Sequence, residues 1–235
     1  MPVPRTLNQD FFKEWSSDMA YVLGYFAADG SMLVNRRGSC FIEFTSTDRI
    51  LLEYVRTVSG SDHLITERPK RSEHWKKQYR LQIGSKEWFG DLTALCFIQG
   101  KSKTLRFPDV PDAFLGDFVR GYFDGDGCVY IGHLKFSDRT QKRWILQTLF
   151  TSGSRPFLED LHDRLKEKGV KGGSIRTKVR GFELLLSHRD SLALYRLLYH
   201  TAPTSDLFLP RKREKLERAI NVLALDKECG RSSTG

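Results

Sequence analysis

The chain has little of what most metal-hydrolase and secreted scaffolds are built from. Its four cysteines, Cys40, Cys96, Cys128 and Cys229, form no Cys-x-x-Cys pair, which argues against zinc held by thiolates. The six histidines, His63, His74, His133, His162, His188 and His200, make no two-histidine helical motif. That argues against histidine-metal nuclease chemistry and leaves them as surface or satisfied core groups. No apolar run approaches the length that crosses a membrane, and Met1-Pro2-Val3-Pro4-Arg5 carries no apolar signal region. The expectation is an intracellular protein with no membrane partner. Acidic residues are also the minority, with 29 Asp and Glu against 38 Lys and Arg and a formal charge of +9. Such an excess suits an acidic partner such as nucleic acid, although it also serves plain solubility.

What the 235 residues do contain is a repeat. Gly24-Tyr25-Phe26-Ala27-Ala28-Asp29-Gly30 returns as Gly121-Tyr122-Phe123-Asp124-Gly125-Asp126-Gly127. Each copy follows an apolar run and reads as the end of a buried helix. Gly24 and Gly121 then fall in helix interiors, at a cost of about 1 kcal/mol each relative to alanine. Ala28 and Gly125 lie four positions on, so each helix presents a small-residue face through Gly24 and Ala28 or Gly121 and Gly125. Such faces admit close approach of another backbone, and the natural partner is the other copy. Asp29 and Asp126 sit at helix C-termini, where the peptide dipole disfavours a carboxylate unless a cation is present. If the helices pack side by side, the two acids meet at the bottom of the seam, a place for divalent metal. Asp-Gly also makes an ordinary turn after a helix, but two copies in equivalent places favour the seam.

The rest of the chain repeats in the same order. A loose arm over residues 1–10 precedes a helix from Phe11 to about Ala28. Ser31 to Val34 and Ser39 to Thr45 form a hairpin, and Asp48 can cap a helix that stops near Gly60. His63 to Arg68 and Gln78 to Ile83 form a second hairpin, and Ser85 starts a third helix. Residues 99–111 read as a linker between a first half, 11–98, and a second, 112–225. The second half gives a helix from Asp112 to Gly125, strands Cys128 to Phe136 and Trp144 to Thr151, and a helix from Ser154 to Lys168. A tight pair, Ser174 to Val179 and Phe182 to Ser187, and a helix from Arg189 to Tyr199 complete it. Pro210 to Leu225 is an additional amphipathic helix, and residues 226–235 form a tail. Phe44-Thr45-Ser46-Thr47-Asp48 echoes Phe150-Thr151-Ser152-Gly153-Ser154, independent support for duplication.

On the hairpins, Arg68, Arg80, Gln82, Lys135, Arg143, Gln147, Arg176 and Lys178 recur on one side, and strand alternation gives that side to a partner. A two-stranded ribbon enters the major groove of DNA, where Arg binds guanine and Gln binds adenine. The connections carry Arg36, Arg37, Lys70, Arg71, Lys76, Lys77, Arg139, Lys142 and Arg180, better placed for phosphates. A solvated sheet face uses the same residue types.

Val22 to Gly30 and Val119 to Gly127 resemble the motif that names the LAGLIDADG homing endonucleases, and the resemblance runs from about Asp10 to Leu225. It implies an α+β fold of two αββαββα halves about a pseudo-twofold axis, with motif helices at the interface and antiparallel sheets forming a saddle over DNA. It also implies a monomer that binds a long double-stranded DNA target and makes a staggered double-strand break with short 3′ overhangs. Asp29 and Asp126 would be catalytic and bind Mg²⁺, with Ala28, Gly30 and Gly125 in the metal site. Mn²⁺ would substitute, and Ca²⁺ would support binding without efficient cleavage. Lys101 resembles the basic residue often found near the family's metal site, while the corresponding region of the second half, Thr201 to Thr204, has no lysine, so the strands are expected to be cut at unequal rates. Ser46 and Ser152 lie at equivalent strand ends near the expected solvent pocket. Asp124 faces Ala27 across the repeat and is read as packing or local hydrogen bonding. The expected location is the compartment that holds the target DNA. A non-cleaving DNA-binding regulator and an intron maturase that binds RNA are the alternatives. An intein is disfavoured, since the ends, Met1-Pro2 and Ser233-Thr234-Gly235, lack splicing residues.

Overall fold

A computed structural model of the chain describes residues 5–69, 73–74, 76–135, 142–200 and 205–223. Its first half runs α1 (Ser17–Asp29), β1 (Gly30–Val34), β2 (Cys40–Ser46), α2 (Arg49–Val58), β3 (Ile65–Arg68), β4 (Gln78–Gly84) and α3 (Lys86–Ala94). The second runs α4 (Leu115–Asp126), β5 (Gly127–Lys135), β6 (Lys142–Ser152), α5 (Arg155–Glu167), β7 (Ser174–Lys178), β8 (Gly181–Ser187) and α6 (His188–Tyr199), followed by α7 (Pro210–Val222). Each half holds one antiparallel sheet, ordered β1-β2-β4-β3 in the first and β5-β6-β8-β7 in the second. The α+β architecture of two αββαββα halves is therefore as expected.

Strand alternation places the core. Met32, Ile42, Phe44, Leu81 and Ile83 face the helices in the first sheet, as do Val129, Leu146, Phe150, Leu184 and Leu186 in the second, and all are buried. α1 is buried along nearly its whole length, and so is α4 with its charged Asp117, Arg120 and Asp124, because the two pack on each other and on the sheets. No helix among the described residues is long and apolar enough to cross a membrane.

Two helix starts and one cap differ from the sequence reading. α1 begins at Ser17, not Phe11, because Ser16 takes an extended conformation and its side chain accepts a bond from the Met19 N–H. Phe11 and Phe12 instead lie in turns and pack their rings against Trp88. α4 begins at Leu115, with Asp112–Phe114 forming a 3₁₀ turn. Asp48 does occupy the N-cap of α2, yet its side chain makes no capping bond. Arg211 of α7 takes the carboxylate through two bonds, 3.0 and 2.6 Å, tying α7 to the first half.

Candidate active site and nucleic-acid interface

The seam between α1 and α4 is built on backbone contact. A Cβ placed on Gly24 would lie 1.9 Å from the Phe118 carbonyl oxygen, and one on Gly121 would lie 1.9 Å from that of Tyr21. The two encounters are the same contact seen from either side of the pseudo-twofold axis. Farther along, a Cβ on Gly125 would come within 2.5 Å of the Ala28 methyl. The small-residue face of Gly24, Ala28, Gly121 and Gly125 is thus the interface, and any larger side chain forces the helices apart. Each helix is closed by a glycine N–H, Gly30 to Phe26 O and Gly127 to Phe123 O.

Asp29 and Asp126 end these helices, partly exposed, with no basic residue in the last turn of either. Burial, and then the Asp126 charge, push the Asp29 carboxyl up to about 7 from 3.8, against the pull of Lys212 and Lys101. Asp126 is raised as well, by burial, and held down by the same two lysines. Two acids at two negative helix ends form a site that needs positive charge.

Lys101 and Lys212 supply part of it from opposite sides. Lys101 lies in a 3₁₀ turn, Lys101–Lys103, yet is only 5% exposed; its Nζ donates to Ala27 O at 2.8 Å and sits 5.4 Å from the Phe26 ring centre. Lys212, 6% exposed in the first turn of α7, donates to Asp124 O at 2.8 Å, to Phe123 O at 2.6 Å and to Gly125 O at 3.2 Å. It lies 5.5 Å from the Phe123 ring centre. Ala27 and Phe26 correspond to Asp124 and Phe123 in the repeat, so the lysines are symmetry mates. The expectation that the second half lacks a lysine is therefore corrected. Residues 201–204, the corresponding region by sequence, lie outside the described residues, and the equivalent ammonium comes from the added helix. Burial lowers both lysines to about 8 from 10.5, opposed at Lys101 by Asp126 and Asp29 and at Lys212 chiefly by Asp124. The Gly125 carbonyl, assigned to the metal site from sequence, faces Lys212.

The chain leading into α7 is held by charges that the apolar reading of α4 passed over. Arg120, 1% exposed, donates to Leu198 O at 2.6 Å, Ser205 O at 2.8 Å, Leu207 O at 2.8 Å and the Asp117 carboxylate at 2.5 Å. Asp117 also accepts from the Ser205 N–H. Asp124 accepts from Tyr21 Oη across the seam and from the Leu209 N–H, both at 2.8 Å, so in place of the local bonding expected it makes long-range bonds that help dock α7. Burial lifts Asp124 to about 6 despite Lys212 and these bonds. The available signal was two charges, Arg120 and Asp124, four apart on a helix otherwise read as core. Lys101 is fixed by the other half in turn: Gly153 packs against Ser102 O, and Ser154 Oγ donates to Leu105 O at 2.7 Å. Ser46 and Ser152 accept from the N–H groups of Asp48 and Ser154, which makes both local turn formers.

Of the residues assigned to DNA, Arg68, Arg80 and Gln82 share the helix-free face of the first sheet, and Gln147, Arg176 and Lys178 share that of the second. Arg36, Arg37, Lys76 and Arg180 are exposed. Lys77 pairs with Glu67 at 3.1 Å and Lys178 with Glu183 at 2.5 Å. Lys70, Arg71, Arg139 and the side chains of Lys135, Lys142 and Arg143 lie outside the described residues. Asp29 and Asp126 are the carboxylates brought to the seam's end, and no group of three or more His, Cys, Asp or Glu among the described residues is placed to hold a metal. Two carboxylates leave most of a cation's coordination to water and phosphate, the arrangement Mg²⁺ prefers.

A family model described as a LAGLIDADG-like domain matches residues 16–93. Among solved structures, the I-SmaMI LAGLIDADG homing endonuclease bound to cleaved DNA is 13% identical, with 94% of this chain and 93% of that one covered and a TM-score of 0.62. I-SmaMI bound to uncleaved DNA in the presence of calcium ions is 12% identical, covering 92% and 93%, with a TM-score of 0.61. The LAGLIDADG meganuclease I-AabMI bound to uncleaved DNA is 13% identical, covering 88% and 91%, with a TM-score of 0.59. A curated relative, the DNA-directed RNA polymerase subunit Rpo1C of Methanocaldococcus jannaschii, is 23% identical over 227 residues, which is 96% of this chain but only 23% of that protein. That model covers the first half, and the second half reproduces its elements and closes on it through Gly24 and Gly121. Residues 16–93 thus match a LAGLIDADG-like domain, and the chain as a whole shares the fold of the solved two-domain LAGLIDADG homing endonucleases.

Proposed function

We propose that the protein is a site-specific endonuclease that binds a long DNA duplex and hydrolyses one phosphodiester on each strand, leaving short 3′ overhangs. The observation that carries this reading is the pair of half-buried carboxylates at the seam's end, each half adding one buried lysine. Asp29 and Asp126 are suited to hold divalent metal, Mg²⁺ with Mn²⁺ as substitute, and their raised carboxyls support a site that favours added positive charge. Such an ion supplies Lewis acidity and a water that ionises near neutral pH.

The chain's own groups orient the reaction. The sheets' helix-free faces set the duplex over the seam, and the pseudo-twofold axis gives each strand one carboxylate and one lysine. Lys101 Nζ spends one donor on Ala27 O and keeps two for a scissile phosphate or its attacking water. Lys212 commits its three donors to carbonyls of α4. The expected inequality between strands therefore stays, on new grounds.

The test is cleavage of a duplex assembled from the DNA flanking this gene, with Mg²⁺ and with EDTA, mapping both ends. Two metal-dependent cuts with a short stagger are expected. Asp29→Asn and Asp126→Asn should each cost about a thousandfold, the equivalent of several kcal/mol of lost charge stabilisation. Metal-dependent cleavage surviving both substitutions would overturn the assignment, and tight binding without cutting by the parent would make the protein a DNA-binding regulator.

A further inference from the structure

The helix-free faces of the two sheets can be aligned residue by residue, because Gly30 pairs with Phe44 as Gly127 pairs with Phe150. Glu43 then corresponds to Leu149, Gln82 to Leu185, Arg80 to Glu183 and Arg68 to Lys178. The Glu43 and Gln82 positions are therefore leucines in the second face, while the Arg80 and Arg68 positions carry the Glu183–Lys178 ion pair.

Glu43 is only 6% exposed although no helix covers that face of the sheet. Its own neighbours bury it. Arg68 Nη2 bonds Glu43 Oε1, while Gln82 Nε2 lies 3.4 Å and Arg80 Nη1 3.7 Å from Oε2. The carboxylate's lone pairs are thus engaged by protein donors, and it has little left to offer a base. What it does is anchor the Arg68 guanidinium by a hydrogen bond and attract that of Arg80, the two side chains being each about a third exposed. A held guanidinium is the donor fork that matches guanine O6 and N7. Leu149, partly exposed beside the buried Leu185, can make only apolar contact, which in the major groove selects the thymine methyl.

We propose that Glu43 is a positioning residue for base recognition: it holds Arg68 and Arg80 to read guanine beside the cut in one half-site, while the Leu149–Leu185 pair prefers thymine at the symmetry-related position. This rests on the endonuclease reading, and adds that the target departs from a palindrome at that base pair in particular.

The experiment is selection of bound duplexes from a library with a long randomised core, using the full chain in Ca²⁺, with the parent, Glu43→Leu and Glu43→Gln. The parent should select a site with guanine favoured about tenfold at one base pair near the centre and thymine at its symmetry mate. Glu43→Leu should flatten the guanine preference about tenfold and leave the other half-site unchanged. Glu43→Gln, close in volume and retaining one acceptor, should weaken the same letter if the leucine variant does not fold. An unchanged letter in Glu43→Gln, with binding uniformly weaker, would overturn the proposal and make the cluster merely structural. A palindromic site at that pair would overturn it while sparing the endonuclease reading. No selected sequence from the parent would overturn both.

Discussion

In the first half, the lysine at the end of the motif helix comes from a tight turn in the linker, and Ala27 is the residue whose carbonyl it meets. In the second half, the equivalent lysine starts a separate helix, and the residue it meets is Asp124. The comparison shows that the fold repeats a destination rather than an address. What is common is the pair of carbonyls at the C-terminal ends of α1 and α4, electron-rich because no further helical N–H reaches them. Any chain segment that can bring an ammonium there satisfies the requirement. A helix can do so only if its approach is fixed, and here that takes Arg120, Asp117 and Asp124, none of which has a charged counterpart in Leu23, Ala20 or Ala27.

The largest effect should come from that extra support. Arg120→Leu copies the first half but strands Asp117 in a buried site, and should cost about 3–5 kcal/mol in urea unfolding. The double change Asp117→Ala, Arg120→Leu should recover part of the loss. If Arg120→Leu left stability unchanged, the buried pair would not be what holds the approach to α7.

Cleavage kinetics with each strand labelled come next. Lys101→Met should slow one strand by about a hundredfold, in the range of losing one preorganised donor. Lys212→Met should slow the other strand, and less, since its donors are committed to α4. Equal slowing of both strands by either variant would dissolve the assignment of one lysine to each strand.

The smallest effect concerns pH. An Asp29 carboxyl held near 7 in the fold and at 3.8 in the free state keeps its proton longer when folded. Its stabilising contribution is present below about pH 4 and lost as pH rises through about 7. In metal-free buffer, the Tm gap between Asp29→Asn and the parent should widen from pH 4 to 7 in favour of the variant. Added divalent cation should close the gap by stabilising the parent alone. A gap independent of pH would place Asp29 in a less buried setting.

Much of this was legible in the sequence because it is local. Helix periodicity, the Ser85 cap and the small residues at Gly24, Ala28, Gly121 and Gly125 each act within a few positions, and the duplicated motif tied two such segments together. The misses were of another kind. Ser16 starts α1 late, through a cap that competes with the apolar pattern of Phe11 and Phe12. Asp48 was recognised as a cap but was drawn off by Arg211, far along the chain. Lys212 could not be singled out from the other basic residues around it in α7, since its burial depends on which face of that helix meets α4.

The sequence by itself determined two motif helices, the seam between them, and two carboxylates at its end, because glycine spacing and helix polarity leave few alternatives. Tertiary structure alone decided which cations answer those carboxylates and which arginines Glu43 holds. Those choices depend on long-range approach and burial, where an ammonium is stabilised by specific carbonyl and carboxylate oxygens that no pattern of neighbouring residues records.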